Sequence, residues 1–243
     1  MGTMVSIDLR DHGPFGPAVD RVVSWLHAVD RMFSPYRSDS AIGRINRGTL
    51  QPADADPLVV EVLRRCDELR ERTDGYFDAR ADGRLDPSAL VKGWAIQVAA
   101  DWLRADGFEN FCLSAGGDVV TRGVPQPGQA WRIGVQHPRE PSALAAVIEA
   151  GELAVATSGT YERGEHITDP HTGAPPGGVL SVTVCGPDLG TADALSTAAF
   201  AMGRAGADWS VTLTGYQAMT IVDEDLVLST PGFPHATGLG PAA

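Results

Sequence analysis

A carboxylate and a hydroxyl lie one helical turn apart in the last third of the chain. Residues 191–197 read Thr-Ala-Asp-Ala-Leu-Ser-Thr within a stretch of helical apolar spacing, which puts Asp193 and Thr197 on one helix face. Two oxygen donors held in this way suit a hard cation such as Mg²⁺, which takes few protein ligands and shares the others with phosphates and water. A solvated aspartate on a helix surface is the alternative.

Three other segments are typical of phosphate binding. Lys92 precedes a glycine near the start of a helix, where backbone N–H groups and the helix dipole attract an anion, unless the lysine simply faces solvent. The turn that ends in Gly-Gly-Asp118 either lets a ligand approach the backbone or only closes a hairpin. Thr157, Ser158 and Gly159 follow a buried strand and could hold a phosphate or a flavin edge, or form a plain loop. Together these segments favour phosphate chemistry.

A general base is also available in the sequence. His166 is followed by Ile-Thr-Asp169-Pro, and a histidine close to an aspartate can accept a proton while the carboxylate orients its ring. His171 competes for this role. Either histidine could instead only bond the local backbone of this Pro- and Gly-rich segment.

Composition excludes several classes of function. The 243 residues carry a net charge of −12 and are 43% hydrophobic. Without a basic stripe we expect no nucleic-acid partner, and without a long apolar run we expect no membrane span. The scattered Cys66, Cys112 and Cys185 predict neither a disulfide framework nor a zinc site. We therefore expect a cytoplasmic protein.

Apolar periodicity predicts the elements that would position these residues. Strands and helices mix without a regular βαβ rhythm, which indicates an α+β fold. We expect one domain over residues 1–243, with a poorly ordered tail after about residue 231. The predicted helices cover residues 17–33, 38–46, 57–73, 87–107, 189–203 and 206–213. The predicted strands cover 3–10, 110–113, 119–122, 131–136, 153–156, 180–185, 217–222 and 225–229.

A series of short motifs spans the chain from its first residue to about residue 203. They are Met-Gly-Thr (1–3), Phe-Ser-x-Tyr-x₃-Ser-x₅-Asn (33–46), Asp-Gly-Tyr-Phe-Asp (74–78), Leu-Asp-x₅-Lys-Gly (85–93), Gly-Gly-Asp (116–118), Ala-Thr-Ser-Gly (156–159), His-Ile-x-Asp-Pro-x-Thr-Gly (166–173) and Ala-Asp-Ala-Leu-Ser-Thr-Ala (192–198). In this order the chain resembles the FAD:protein FMN transferase family, also called ApbE-like.

The resemblance implies a fold and an activity. The fold would be α+β and related to the T-fold, with two intimately packed lobes and the flavin between them. Such enzymes hold FAD with Mg²⁺ on its pyrophosphate and transfer FMN onto a Ser or Thr hydroxyl of a partner flavoprotein, releasing AMP. An FAD pyrophosphatase that yields FMN and AMP, or a non-catalytic FAD-binding protein, are the alternatives.

The resemblance also implies roles for individual residues. The side chains of Asp193 and Thr197 and the backbone carbonyl of Ala89 would bind the metal ion. His166 would be the general base that takes the proton from the acceptor hydroxyl. Residues at the FAD site would be Tyr36, stacked on the isoalloxazine, together with Lys92, Asp118, Thr157, Ser158 and Gly159.

Overall fold

The structure, a computed structural model, describes residues 3–81, 83–160, 167–223 and 226–236. No helix among these residues has the length and apolar character needed to cross a bilayer. The strands are β1 (Val5–Leu9), β2 (Phe111–Ala115), β3 (Asp118–Arg122), β4 (Trp131–Gln136), β5 (Leu144–Ala150), β6 (Leu153–Gly159), β7 (Val179–Gly186), β8 (Gln217–Val222) and β9 (Val227–Ser229). The helices are α1 (Gly16–Phe33), α2 (Ala41–Asn46), a 3₁₀ turn (Pro52–Asp54), α3 (Pro57–Arg72), α4 (Ser88–Ala105), α5 (Leu189–Ala201) and α6 (Ala205–Ser210).

The strands form two antiparallel sheets. Within the described residues, one sheet has seven strands in the order β1-β2-β3-β6-β7-β8-β9, and β4 and β5 pair separately. The predicted hairpin between β2 and β3 is confirmed: it turns at Gly116 and Gly117, whose φ angles of 52° and 85° suit a turn that needs two positive values. Helices and antiparallel strands in this irregular order confirm the α+β prediction.

Each face of the large sheet covers its own apolar core. Helix α5 packs on β6 and β7, α4 packs on α5, and α1 packs on α4, and this side holds the larger core. The β4–β5 hairpin covers the opposite face. Along β6 the side chains alternate between the two cores, since Ala154 and Ala156 belong to the helical side while Val155 belongs to the hairpin side. This alternation decides where the polar end of β6 points.

The chain after Pro231 differs from expectation over residues 232–236, while the rest of the predicted tail lies outside the described residues. We predicted a poorly ordered tail from its Gly and Pro content, and this is wrong for residues 232–236. The Phe233 side chain is buried in the core under the hairpin. The backbone of this segment also bonds β5, from Ala236 N to Val147 O at 2.8 Å and from Glu149 N to Pro234 O at 3.1 Å. The burial of one aromatic ring, together with these backbone hydrogen bonds, orders the segment.

Helices α4 and α5 cross in backbone contact because glycines meet at the crossing. A Cβ atom added to Gly93 would lie 2.5 Å from the Leu189 carbonyl oxygen, and one added to Gly190 would lie 3.1 Å from the Trp94 Cα. Two ordinary helices pack with their axes about 8–10 Å apart, a spacing set by the side chains at the contact. Glycine at both positions therefore brings the polar side chains of the two helices close to one another.

Gly93→Ala is expected to destabilise the protein by about 1–3 kcal/mol, because the new methyl group forces the two backbones apart. Alanine's better helix propensity offsets about 1 kcal/mol of that loss. Urea unfolding measures the change. Gly16→Ala is the matched control, since a Cβ at this first residue of α1 meets nothing within 4 Å. Equal stability of the Gly93→Ala and Gly16→Ala proteins would contradict the close crossing.

Candidate active site

A cavity of about 960 Å³ opens beside the crossing of α4 and α5. Its wall is formed by the loop after α1, the segment that leads into α4, the end of β6 and one face of α5. The structure thus brings together residues that are far apart in sequence and that we predicted as one site. The predicted residues that line the cavity are Tyr36, Ala89, Lys92, Thr157, Ser158, Gly159, Asp193 and Thr197.

The position of α5 is fixed at its N-terminus. The Asp188 carboxylate caps the helix by accepting hydrogen bonds from the N–H (2.7 Å) and the hydroxyl (2.7 Å) of Thr191. Gln97 of α4 accepts a hydrogen bond from Leu189 N at 3.1 Å. These contacts satisfy N–H groups that a helix start leaves without intrahelical partners, and they hold Asp193 one turn further along.

Asp193 is buried and faces α4. Its Oδ2 accepts a hydrogen bond from Gly93 N at 3.2 Å, and its Oδ1 lies 3.5 Å from Lys92 Nζ. In a regular α-helix the Gly93 N–H points at the carbonyl of Ala89, four residues earlier. The Asp193 carboxylate of α5 therefore approaches the first turn of α4, which carries the Ala89 carbonyl, and both predicted metal ligands line the cavity.

Asp118 lies behind Lys92 and does not line the cavity as we expected. Its side chain is fully buried at the start of β3, and its Oδ2 is paired with Lys92 Nζ. The other oxygen, Oδ1, has no hydrogen-bond partner among the described residues. The β2–β3 hairpin places Asp118, the first residue of β3, behind Lys92 of α4. The Asp118 carboxylate therefore holds the lysine in position, and contact with a ligand is left to other groups.

The charges of this cluster do not balance. Burial raises the pKa of Asp193 well above its ordinary range, and the nearby Asp118 charge raises it further. Burial also raises the pKa of Asp118, against the lowering effect of Lys92. If both carboxyl groups are ionised, the single ammonium group leaves an excess negative charge in a region of low dielectric, which is why their pKa values are raised, and a bound cation would neutralise that charge.

The donor set at this point suits a hard metal ion. A carboxylate, the Thr197 hydroxyl and a backbone carbonyl are oxygen donors of the type that Mg²⁺ prefers. In the part of the chain that the structure describes, no group of three or more His, Cys, Asp or Glu side chains could hold a metal. The available donors therefore fit Mg²⁺ better than zinc, which favours nitrogen and sulfur ligands.

Thr157 and Ser158 point to opposite faces of the sheet. We predicted that β6 ends at residue 156, so that both hydroxyls could reach one ligand, but the strand continues to Gly159. The Thr157 hydroxyl is bonded to Thr183 at 2.9 Å on the hairpin side. The Ser158 hydroxyl lies 2.9 Å from Ser196 on the helical side. Because Thr157 uses its hydroxyl within the sheet, we assign only its backbone to the cavity.

The motif around Tyr36 includes structural residues that the sequence analysis did not distinguish. Tyr36 itself lines the cavity and is 93% exposed, so its predicted role in stacking stays a prediction. Ser40, in contrast, is fully buried, and its hydroxyl donates to Ser34 O at 2.6 Å. Asn46 bonds both backbone groups of Leu85, at 2.9 and 2.8 Å. These bonds fix the loop after α1 and the segment before α4, both of which contribute residues to the cavity wall.

The predicted general base, His166, lies outside the described residues. Asp169, which we expected to orient it, closes its own turn: its carboxylate accepts hydrogen bonds from His171 N (2.9 Å) and from the Thr172 hydroxyl (3.1 Å). The His171 ring is exposed and packs edge-on against Tyr76, with ring centroids 4.5 Å apart. His171 supports the cavity wall from outside and is not among the residues that line it.

The sequence analysis missed one residue behind the cavity wall, Ser196, and one in it, Arg84. Ser196, fully buried on α5, contacts Ser158 and so connects α5 to the end of β6. Arg84 lines the cavity and is an exposed cation on the segment before α4. Ser196 lies within a motif that we quoted, next to Thr197, but spacing alone does not show which strand it meets. No signal in the sequence distinguishes Arg84.

The chain is similar to proteins of one family. The profile of the ApbE family matches residues 1–83 and 79–220. A FAD:protein FMN transferase of Vibrio cholerae serotype O1 is 38% identical over 269 aligned positions, which cover 84% of this chain and 80% of that protein. One from Rhodobacter capsulatus is 30% identical over 91% of this chain and 42% of its own length.

Solved structures show the same fold. The flavin transferase ApbE from Vibrio cholerae has a TM-score of 0.85 and 25% identity, covering 96% of this chain and 95% of that chain. An ApbE protein from Thermotoga maritima has a TM-score of 0.80 at 24% identity and covers 94% of this chain and 93% of its own. The likeness extends over nearly the whole length and includes the elements that surround the cavity.

Proposed function

Since the chain belongs to the ApbE family, we propose that it is a Mg²⁺-dependent flavin transferase. The reaction moves FMN from FAD onto a Ser or Thr hydroxyl of a partner flavoprotein and releases AMP. FAD occupies the cavity beside the crossing of α4 and α5, with its pyrophosphate at the end where Lys92, Asp193 and Thr197 meet. The curated relatives described above are named for this transfer.

The observation that carries the proposal is the buried cluster of two carboxyl groups and one ammonium group at the wall of the cavity. Asp193 is held by Gly93 N and lies close to Lys92, and Thr197 faces the same cavity. A binding site for flavin alone would have no need of excess negative charge, because the ligand's phosphates are anions themselves. A site for a cation bound together with a pyrophosphate does require it.

The groups of this cluster have separate roles in binding the metal ion and the pyrophosphate. Asp193, Thr197 and the carbonyl of Ala89 would hold the Mg²⁺ ion, which when bound neutralises charge that develops on the phosphate oxygens. Lys92 is held by Asp118, and its ammonium group adds positive charge at the wall that faces the pyrophosphate. The Ser158 hydroxyl lies beside Thr197, and the backbone at Thr157 and Gly159 continues this wall of the cavity.

His166 is the proposed general base, on the basis of the family resemblance. Its imidazole takes the proton of the acceptor hydroxyl as that oxygen forms a bond to the FMN-side phosphorus. The bond between this phosphorus and the bridging oxygen breaks, and AMP leaves with the electron pair. Water in place of the acceptor hydroxyl would give FMN and AMP instead.

Mass spectrometry of a candidate acceptor flavoprotein, incubated with FAD, Mg²⁺ and the enzyme, tests the proposal. The expected result is an added FMN mass on a Ser or Thr residue, with one AMP released per flavin attached and no reaction in EDTA. AMP release that does not depend on any acceptor would identify a pyrophosphatase. FAD that binds and stays intact in both conditions would identify a binding protein. Either of these two outcomes contradicts the transferase assignment.

His166→Ala is expected to leave FAD binding unchanged and to lower the transfer rate by about 10²–10⁴-fold, the usual contribution of a general base. Flavin fluorescence quenching measures binding, and single-turnover flavinylation measures transfer. His171→Ala is the matched control, since this neighbouring histidine lies outside the cavity lining. Transfer that persists in the His166→Ala protein, or that fails equally in the His171→Ala protein, would remove His166 from this role.

A further inference from the structure

A chain of hydroxyl groups lies directly behind Thr197. It runs from Ser196 to Ser158 to Thr197 and joins α5 to the end of β6. We propose that Ser196 and Ser158 are positioning residues that turn the Thr197 hydroxyl so that its lone pairs face the cavity and its proton faces away. The inference rests on the proposed function, because it concerns how Thr197 is prepared to bind a cation.

The donor and the acceptor of each hydrogen bond in this hydroxyl chain follow from counting protons. Each serine hydroxyl has one proton to donate and two lone pairs that accept. The Ser196 hydroxyl donates its proton to the Asp193 carbonyl oxygen at 2.9 Å. Ser196 can therefore only accept in its 2.9 Å contact with Ser158, so the Ser158 proton points at Ser196.

The same count fixes the orientation of Thr197. A threonine in a helix usually donates its hydroxyl proton to a carbonyl three or four residues earlier, but among the described residues the Thr197 hydroxyl bonds neither the Ala194 carbonyl nor that of Asp193. That oxygen already receives the Ser196 hydroxyl and, in the regular helix pattern, the Thr197 N–H. The Thr197 hydroxyl instead lies 3.4 Å from Ser158 Oγ, which has given its own proton to Ser196 and accepts.

The consequence is a hydroxyl prepared to bind a positive ion. With its proton directed at Ser158, Thr197 Oγ1 presents lone pairs to the cavity, on the same helix face as the Asp193 carboxylate. A hydroxyl turned the other way would present a proton to the cation and repel it. Both serines are buried and bonded to each other, so solvent does not compete for these directions.

The test measures Mn²⁺ binding, by the loss of the free-ion EPR signal, in the presence of FAD and without any acceptor protein. Ser196→Ala and Ser158→Ala are each expected to weaken Mn²⁺ binding about tenfold or more, as is usual when a group that orients a metal ligand is removed. The double variant should lose no more Mn²⁺ affinity than the single variant with the larger loss, because a hydroxyl chain that is broken once no longer orients Thr197. In a Thr197→Val background the Ser196→Ala change should have no further effect.

Ser181→Ala is the control for losing a buried hydroxyl. Ser181 lies on the neighbouring strand β7, and its Oγ has no hydrogen-bond partner among the described residues. Its removal should leave Mn²⁺ affinity unchanged. If Ser196→Ala fails to fold, Ser158→Ala carries the test, since it extends a β6 face that already holds Ala154 and Ala156.

The outcomes separate this inference from the proposed function. Unchanged Mn²⁺ affinity in both serine variants, with binding lost in Asp193→Asn, would overturn the role of the hydroxyl chain and leave the metal site intact. Unchanged affinity in Asp193→Asn would overturn the metal site itself, and the inference with it. An equal loss from Ser196→Ala with and without the Thr197 hydroxyl would show that Ser196 acts on stability alone.

Discussion

Asp193→Asn is expected to lower FMN transfer by a factor of about 10² or more, the scale of losing a group that stabilises charge in a transition state. Added Mg²⁺ should not restore activity, because an amide oxygen replaces the carboxylate that gives the site its negative charge. The same substitution is expected to stabilise the metal-free protein. It removes a buried carboxylate that lies beside Asp118 and whose pKa burial raises well above its ordinary range.

The raised pKa of Asp193 determines how the stability of the metal-free protein changes with pH. A carboxyl group with a raised pKa in the folded state favours folding fully below its ordinary pKa of 3.8, and that contribution is lost as the pH rises through the folded-state value. The Asp193 contribution to the stability of the metal-free protein should therefore be lost as the pH rises above 3.8, and Asp193→Asn should flatten the decline. Urea unfolding in EDTA at about pH 5 and about pH 8 measures it.

The control for this experiment is Asp208→Asn, at an exposed position on α6. It should change neither transfer nor the pH profile of stability, because an exposed carboxylate is solvated in both states. If Asp193→Asn proved less stable than the unaltered protein in EDTA at both pH values, the Asp193 carboxylate would be a net stabiliser, and the proposed charge excess would be wrong.

Lys92→Met has the second large expected effect, a loss of about 3–5 kcal/mol of stability in EDTA. Removing one partner of a buried ion pair leaves uncompensated charge, and here Asp118 and Asp193 would both lose their counter-ion. Methionine keeps the apolar stem of the lysine, so packing changes little. The measurement is the free energy of unfolding in urea at neutral pH.

The double variant Lys92→Met/Asp118→Asn tests the cause of that loss. With one carboxylate neutralised, most of the stability lost in the single variant should return, which is the coupling expected of residues in direct contact. Lys92 pairs with the buried Asp118 oxygen, so the largest part of the effect should pass through this contact. A double variant as unstable as Lys92→Met alone would show that the lysine stabilises the fold by packing.

Elements with a regular apolar period could be predicted from the sequence. Helices α1 and α3 were predicted within a residue of their observed bounds, because Val22 and Val29 in one and Val59, Val62 and Cys66 in the other recur at helical spacing on the buried face. Strand β5 was missed, since Leu-Ala-Ala-Val-Ile-Glu-Ala does not alternate between apolar and polar residues. Its strand conformation comes from pairing with β4.

Some features of the candidate site could likewise be predicted from the sequence, and others could not. The spacing of Asp193 and Thr197 predicted that they share a helix face, and both line the cavity. The roles of Asp118, Thr157 and Ser158 depended on where strands end and on which face a side chain takes. Strand ends are set by pairing with neighbours that are distant in sequence, and a shift of one residue moves every side chain to the other face. The residues near position 157 do not indicate which strands pair with β6 or where that pairing ends.

The segment that bonds β5 has a consequence for the order of folding. Two strands alone are marginal in water, and the β4–β5 hairpin gains Phe233 and the hydrogen bonds to Val147 and Glu149 from a far later part of the chain. During synthesis on the ribosome the hairpin emerges long before these contacts can form. Its apolar side is then exposed and can bind chaperones or other unfolded chains. Burial of this side is complete only when the segment around Phe233 has left the exit tunnel.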